Sequence, residues 1–225
     1  MAVLPQALRR AVPDRVRDDV RLRALAVGAG LIPPRTMHSA EERELLQRLA
    51  RGARRVVEIG VYEGSSAVAL CEVLGPEAEL HLIDPFGHHP TALPAGWGAT
   101  ERASKRVVAR AARRGGPRIS WHVALSEDVA PGWSAPADVI FVDGDHAEDA
   151  TRLDWELWHG HVVPGGHLLF HDAREGKPGG RGLPGPTRVV DELFRGAQPL
   201  EGWSIAAEVD RTVAVRRDLS AARPG

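Results

Sequence analysis

The sequence has very little cysteine and no long apolar run, and both absences narrow the possible classes of protein. Cys71 is the only cysteine among 225 residues, so the chain has no internal disulfide and no zinc site built from several cysteines. No stretch of about 18 apolar residues is present, which argues against a membrane-spanning helix. The N-terminus lacks the apolar core of a signal peptide, so we expect a cytoplasmic protein with no membrane partner.

An excess of charge of either sign is also missing. The 29 Lys and Arg residues nearly balance the 30 Asp and Glu residues, and the formal net charge is −1. A protein without a net positive field has no general attraction for nucleic acid, so we expect no nucleic-acid partner. A chain of this length with 43% hydrophobic residues is expected to form one packed core with modest additions.

The first fifty residues differ in pattern from the rest of the chain. Apolar residues in Pro13–Val27 have helical spacing, and Ser39-Ala-Glu-Glu42 has the spacing of a capping box at the start of a second helix. We therefore predict an N-terminal helical cap over residues 1–50 and a core over residues 51–225. The cap helices are also the expected surface for a possible homo-oligomer.

From residue 54 the pattern alternates between strand and helix, which predicts an α/β fold. The strands are continuous apolar runs, as expected for a parallel sheet covered by helices on both faces. The predicted strands are Arg55–Ile59, Glu79–Asp84, Ile119–Val123, Asp138–Asp143 and His167–His171, followed by a hairpin of Trp203–Val209 and Thr212–Val215. The predicted helices are Ser65–Leu74, Thr100–Arg114, Glu148–His159 and Thr187–Arg195.

Two long segments remain outside these elements. Pro85–Ala99 contains His88, His89 and Trp97, and Arg174–Pro186 is rich in Gly and Pro. Both follow strand carboxyl ends, the edge at which open α/β sheets bind ligands. We therefore expect these segments, with the N-terminal helices, to form an acceptor pocket and to act as lids.

The loop after the first strand has the features of a cofactor site. Gly60 allows a sharp turn and a close approach of a ligand to the backbone. The helix that follows Gly64 begins with free N–H groups, which favour an anion. Asp84 ends the next strand, where its carboxylate can accept hydrogen bonds from two ribose hydroxyls. Tyr62 stands where the dinucleotide motif GxGxxG needs its second glycine, which disfavours an NAD-dependent oxidoreductase.

Two further apolar strands end in groups that can bind metal or accept protons. Asp143, Asp145 and His146 follow one strand, and His171 and Asp172 follow the other. Adjacent parallel strands would bring these groups together beside the cofactor loop. A divalent cation on the Asp143 and Asp172 carboxylates would lower the pKa of a substrate hydroxyl, and His146 would take its proton.

The motif ExGxxxGxS at Glu58–Ser66, with the following strand that ends in Asp84, resembles class I S-adenosylmethionine-dependent methyltransferases. Within that class the chain is similar to the metal-dependent O-methyltransferases, which include the catechol, caffeoyl-CoA and macrolide-sugar enzymes. The resemblance covers about Met37 to Leu193. It implies a Rossmann-like seven-stranded sheet whose last hairpin inserts an antiparallel strand. It also implies a set of cofactor-binding residues: Glu58, Gly60, Tyr62, Gly64, Ser65, Asp84, Ser126 and Asp143.

The same resemblance implies roles for the groups at the strand ends. Asp143, His171 and Asp172 match the metal-binding positions. His146 falls where catechol-type enzymes have a Lys and some macrolide-sugar enzymes a His base, whereas Asp145 falls where certain aminocoumarin-sugar enzymes use an Asp base. The expected metal is Mg²⁺ or Mn²⁺. His171 replaces an acidic ligand, and an imidazole binds Mn²⁺, Fe²⁺ or Zn²⁺ better than it binds Mg²⁺. The alternative is that His171 lies outside the coordination sphere of the metal.

The function implied is methyl transfer from S-adenosylmethionine to a hydroxyl of a small-molecule acceptor, a specialised metabolite or its sugar. A catechol- or phenol-type acceptor is the first alternative. A non-catalytic S-adenosylmethionine-binding partner subunit is the second, and the complete set of Asp143, His146 and Asp172 argues against it.

Overall fold

A computed structural model of the protein describes residues 19–87, 98–113 and 115–219, which contain one sheet of seven strands. The strands are β1 Arg55–Ile59, β2 Glu79–Ile83, β3 Arg118–His122, β4 Ala137–Val142, β5 Val162–Phe170, β6 Trp203–Val209 and β7 Thr212–Arg217. Their order is β3-β2-β1-β4-β5-β7-β6, and β7 runs antiparallel to both of its neighbours. The predicted Rossmann-like, mostly parallel sheet with an inserted antiparallel strand is confirmed.

Helices lie on both faces of this sheet. They are α1 Val20–Ala29, α2 Ala40–Ala50, α3 Ser65–Cys71, α4 Gly98–Ala112, α5 Ser126–Val129, α6 Glu148–Trp158 and α7 Pro184–Val190, and a π-helical turn Asp191–Arg195 extends the last one. None of the helices in the described ranges is both long enough and apolar enough to cross a membrane. The predicted Pro13–Val27 helix is described only from residue 19 onward.

Two apolar clusters fill the space between sheet and helices, because successive strand residues point to opposite faces. On one face Leu45 of α2 and Leu70 of α3 pack against the sheet. On the other face Trp155 and Trp158 of α6 are 4% and 0% exposed and pack with Val190 of α7. Each such side chain contributes about 1.5–3 kcal/mol when fully buried, so both layers are held by packing.

The N-terminal helices are fastened to the core by specific polar contacts. Ser39 caps α2 with both hydrogen bonds of the predicted capping box. Arg23 of α1 donates two hydrogen bonds of 2.6 Å to the Glu63 carboxylate, which also accepts the Arg35 backbone N–H at 2.6 Å. Glu63 is only 3% exposed and belongs to the loop between β1 and α3. The described part of the cap therefore lies directly on the predicted cofactor loop.

Candidate active site

The carboxyl ends of five strands form one hydrogen-bonded row along an edge of the sheet. His171 N donates to Val142 O at 3.0 Å, Asp143 N to Ile59 O at 2.8 Å, Gly60 N to Ile83 O at 2.9 Å, and Asp84 N to His122 O at 3.1 Å. The row places the ends of β5, β4, β1, β2 and β3 side by side, in that order. The groups predicted to do chemistry and those predicted to bind a cofactor therefore share one edge.

Gly60 is where the cofactor loop contacts the chemical groups. Its φ is +86°, and a Cβ added there would lie 2.0 Å from the Asp143 carbonyl oxygen, so no other residue fits. Tyr62 also has a positive φ of +51°, and Gly64, with φ +85°, precedes α3. The loop thus turns sharply against the end of β4, as its glycines predict.

Asp84 holds this loop in place through its carboxylate. Its Oδ2 accepts the N–H groups of Val61 and Tyr62, and its Oδ1 accepts that of Phe86, all at 2.8 Å. Burial raises the pKa of Asp84, and the three N–H donors oppose that rise. Oδ2 already accepts two donors, whereas Oδ1 accepts one and keeps a further lone pair. One hydrogen bond from a ribose hydroxyl to Oδ1 is therefore compatible with this structural role, and the predicted contact with a ribose stays a prediction.

Glu58 has a buried carboxylate oxygen that accepts no hydrogen bond from the described residues. The side chain is fully buried, its Oε1 accepts the Ser66 hydroxyl, and its Oε2 has no hydrogen-bond partner among the described residues. Burial raises the pKa of Glu58 well above its ordinary value, while Ser66 opposes the rise. A buried polar atom without a partner costs about 1–3 kcal/mol, and an ammonium group would satisfy it. Glu58 therefore fits its predicted place beside the amino-acid end of a cofactor.

The ends of β4 and β5 bring two carboxylates and two imidazoles together. Asp143 Oδ1 lies 2.8 Å from His171 Nδ1 and 3.6 Å from His146 Nε2. Asp172 Oδ2 lies 3.3 Å from His146 Nε2 and 3.4 Å from His171 Nδ1. One ligand atom from each of Asp143, His146 and His171 lies within 4.8 Å of the others, close enough to share a metal ion, whereas the predicted ligand Asp172 is not part of this group of described residues. His146, which the sequence predicts as a base, thus also stands among the possible ligands.

Opposite charges hold this cluster together. Burial alone would lower the pKa of His171, but Asp143, Asp172 and Glu42 outweigh it and raise the pKa to about 12. The neighbouring Asp143 carboxylate raises the pKa of His146, and burial opposes the rise. The two histidines in turn lower the pKa of the Asp143 and Asp172 carboxyls in spite of burial.

Glu42 is a residue of this site that the sequence shows only as part of a capping box. It is 3% exposed, and its Oε1 lies 3.6 Å from His171 Nε2, on the other ring nitrogen from Asp143. The same oxygen accepts the Thr212 hydroxyl at 2.7 Å and the Arg211 N–H at 3.1 Å. No local pattern places α2 beside the end of β5, so this contact could be found only in the folded chain.

Three further residues, Asp145, Ser65 and Ser126, are predicted to belong to the site. Asp145 is exposed, and its Oδ1 accepts the Ala147 N–H at 2.9 Å, which fixes it in the turn before α6. Ser65 is the first residue of α3. Ser126 is the first residue of α5 and donates its hydroxyl hydrogen to Asp154 Oδ1.

The two predicted lid segments have different outcomes. The segment Arg174–Pro186 makes polar contacts with its surroundings. Arg174 donates hydrogen bonds to the Glu208 carboxylate and to the Asp210 carbonyl oxygen, both at 3.0 Å, and Lys177 forms an ion pair with Asp191 at 2.5 Å. These contacts join the segment to β6, to the turn after β6 and to the π-helical turn, and its predicted role as a lid stays a prediction. Within Pro85–Ala99, residues 88–97 lie outside the described residues, and with them His88, His89 and Trp97.

Comparisons with known proteins agree with this architecture. The sequence model of a family described as a methyltransferase domain matches residues 57–173, more than half of the chain and the part that holds the cofactor loop and the cluster.

Three solved structures are similar in fold. The cofactor-bound protein Rv0187 from MTB is 21% identical, with 98% of this chain and 100% of that chain covered and a TM-score of 0.61. The O-methyltransferase from Bacillus cereus in complex with SAH is 18% identical, with 94% and 97% covered and a TM-score of 0.59. The O-methyltransferase TomG from Streptomyces achromogenes, involved in tomaymycin synthesis and in complex with SAM, is 20% identical, with 89% and 90% covered and a TM-score of 0.57.

Proposed function

Since the chain belongs to this family of methyltransferase domains, and is therefore a methyltransferase, we propose that it transfers the methyl group of S-adenosylmethionine to a hydroxyl of a small molecule. The observation that carries the proposal is the meeting of Asp143, His146, His171 and Asp172 against Gly60 of the cofactor loop. A sulfonium methyl held by that loop would face a group of side chains suited to activating a hydroxyl.

Several features support S-adenosylmethionine as the methyl donor. Glu58 supplies an unpaired buried oxygen for an ammonium group, and Asp84 stands one strand further along the edge for a ribose. The loop lacks the GxGxxG spacing of a dinucleotide site. Two proteins of similar fold are described in complex with SAM and with SAH.

Asp143, His171 and Asp172 are the proposed ligands of a divalent cation. The proposal is supported by the ligand atoms of Asp143 and His171, which lie within 4.8 Å of each other and of one from His146. Such an ion would act as a Lewis acid that lowers the pKa of the acceptor hydroxyl and fixes its position. The imidazole of His171 among these ligands favours Mn²⁺ over Mg²⁺, because imidazole suits transition metals better than it suits hard cations.

His146 is the proposed base for the hydroxyl proton. Its Nε2 lies 3.6 Å from Asp143 Oδ1 and 3.3 Å from Asp172 Oδ2, so it stands beside the proposed ligands, where an acceptor hydroxyl would be bound. Asp145 is the weaker choice because its carboxylate is turned toward the Ala147 N–H. Only the unprotonated imidazole can accept a proton, so the reaction is expected to need a pH near or above the raised pKa of His146.

The acceptor class is proposed from the site and from charge. A specialised metabolite or its sugar is the first choice, since TomG is described as involved in tomaymycin synthesis, and a catechol or phenol is the second. Two proteins of similar fold are described as rRNA methylases, but the formal net charge of −1 gives this chain no general attraction for RNA. A non-catalytic partner subunit would not need a complete Asp143, His146 and Asp172 set.

The proposal is tested by methyl transfer from labelled S-adenosylmethionine to a panel of hydroxylated sugars, aglycones, catechols and phenols, with total rRNA as a separate arm. Each reaction is run with EDTA, without EDTA, and after Mg²⁺ or Mn²⁺ is added back. Label on a hydroxyl, lost with EDTA and restored by a metal, supports the proposal. Label on rRNA alone would overturn the acceptor class, and activity that survives both chelation and Asp143→Ala would overturn the metal.

A further inference from the structure

Asp154 is a buried acidic residue that the proposed reaction does not use. It lies on α6 and is 5% exposed. Its Oδ1 accepts the hydroxyl hydrogen of Ser126. Its Oδ2 would be 3.6 Å from a Cβ added at Gly144. Asp154 therefore stands between the segments that follow β3 and β4.

The row of strand ends indicates which part of the cofactor would lie there. The reacting methyl must face the cluster at the ends of β4 and β5, and Glu58 and Asp84 follow on β1 and β2. Neighbouring strands are about 4.8 Å apart, so an extended molecule that continues along this edge reaches the end of β3 next. Ser126 begins the helix that follows β3, so the adenine, beyond the ribose, would reach Ser126.

The hydrogen bond from Ser126 to Asp154 limits what Ser126 can do for a ligand. A serine hydroxyl has one hydrogen and two acceptor lone pairs. Once that hydrogen is donated to a carboxylate, the hydroxyl oxygen can only accept. The 6-amino group of adenine is a donor, whereas the 6-oxo group of hypoxanthine is an acceptor.

We infer that Asp154 fixes Ser126 as a hydrogen-bond acceptor for the 6-amino group of adenine, and so sets the base specificity of the cofactor site. Asp154 is a positioning residue, since it acts through Ser126. This inference rests on the proposed function, which places S-adenosylmethionine along the edge.

The test compares S-adenosylhomocysteine with its 6-oxo analogue S-inosylhomocysteine, in which the 6-amino donor becomes an oxygen acceptor and N1 gains a hydrogen. The N1 difference is the same for every variant, so the change of the affinity ratio between variants reports on position 6. Binding of each is measured by calorimetry to the wild type, Asp154→Ala, Ser126→Ala and Asp149→Asn. Asp149 is the matched control, because it is an exposed acidic residue of the same helix. Measurements at pH 8 keep Asp154 ionised, since burial raises its pKa to about 6.

The ratio of the two affinities separates specificity from a merely structural role. The wild type and Asp149→Asn are expected to bind S-adenosylhomocysteine about 10- to 100-fold more tightly, as one unsatisfied buried acceptor would cause. In Asp154→Ala the Ser126 hydroxyl can turn and donate to a 6-oxo group, so the ratio is expected to fall to about threefold or less. Ser126→Ala should lower the ratio in the same way.

Three outcomes would overturn the inference, and they are distinguishable from one another. Equal affinities in the wild type would mean that the site does not sense position 6. A wild-type ratio in a folded Asp154→Ala, with both affinities reduced, would mean that Asp154 only supports the fold. If the wild type bound neither ligand, the proposed function itself would fail, and the inference with it.

Discussion

Glu42 is the buried carboxylate that joins the N-terminal helices to the candidate active site, and its replacement by Gln is expected to destabilise the protein. Its Oε2 accepts the Ser39 N–H at 2.8 Å, while its Oε1 accepts from Thr212 and Arg211 and lies near His171. Gln has the same shape but only one acceptor oxygen. In Glu42→Gln, one set of donors would therefore face an NH₂ group.

The size of the effect follows from the pKa of Glu42. Burial opposes its ionised form, but His171, the Ser39 N–H and Thr212 outweigh burial and lower the pKa from 4.5 to about 2. A lowered carboxyl pKa means that the charge stabilises the fold above about pH 4.5 and that this stability is lost as the pH falls toward 2. At 1.36 kcal/mol per pH unit the difference is about 3 kcal/mol, which is the expected loss in Glu42→Gln at pH 7.

Urea unfolding at pH 7, followed by circular dichroism, measures this loss. Glu41→Gln is the matched control, because Glu41 is exposed in the same first turn of α2 and is expected to leave the midpoint unchanged. The gap between wild type and Glu42→Gln should also narrow as the pH is lowered below about 4.5. A loss at pH 7 no larger than that of the control would refute the argument that the fold holds Glu42 ionised.

Three further substitutions test other parts of the site. His146→Ala is expected to lower kcat by about 10²–10⁴-fold and to flatten the rise of kcat with pH, because only unprotonated His146 accepts a proton. An unchanged pH profile would mean that another residue is the base. Gly60→Ala would place a methyl group 2.0 Å from the Asp143 carbonyl oxygen and should abolish S-adenosylhomocysteine binding or folding. The control is Gly52→Ala, at a φ of +81° with nothing within 4 Å of the added Cβ, which should cost about 1–2 kcal/mol of stability. Similar melting temperatures for the two variants would contradict the close approach at Gly60. Asp154→Asn is expected to gain stability over the wild type by up to about 3 kcal/mol as the pH rises from about 3 to 7, because the Asp154 pKa is raised from 3.8 to about 6 and the ionised form is costly in the fold; a difference that stays constant across this range would argue against a buried charge.

The strands were predictable because a covered parallel strand is a continuous apolar run with polar residues at its end. β1 and β6 have the predicted bounds, and the polar end groups lie where two apolar runs stop. The start of β5 was not predictable. Its first part, from Val162, contains Pro164 and two glycines, and the pairing register with β4 shifts there. Proline and glycine in a strand are typical of such irregular pairing, but a local pattern cannot distinguish this from a turn.

The elements defined by tertiary contacts were harder to predict. The four-residue helix Ser126–Val129 is too short to have an apolar period, and the sequence gives no sign of it. Strand order is equally absent from local patterns, and the antiparallel position of β7 came from the resemblance to known methyltransferases. Glu42 and Asp154 lie on helices that look like ordinary covering layers, and only packing brings them to the strand ends.

Strand ends and helices contribute differently to this site. The strand ends present the groups that would touch cofactor or acceptor, while residues from the helices fix how those groups point. Glu42 of α2 faces one ring nitrogen of His171, and Asp154 of α6 takes the hydrogen of Ser126. Loss of a strand-end group removes an atom that the reaction needs, so turnover should fall. Loss of a helix group leaves that atom present but free to turn, so stability and ligand ratios should change first. This distinction explains why the strand-end groups could be found from the sequence and the residues that orient them could not.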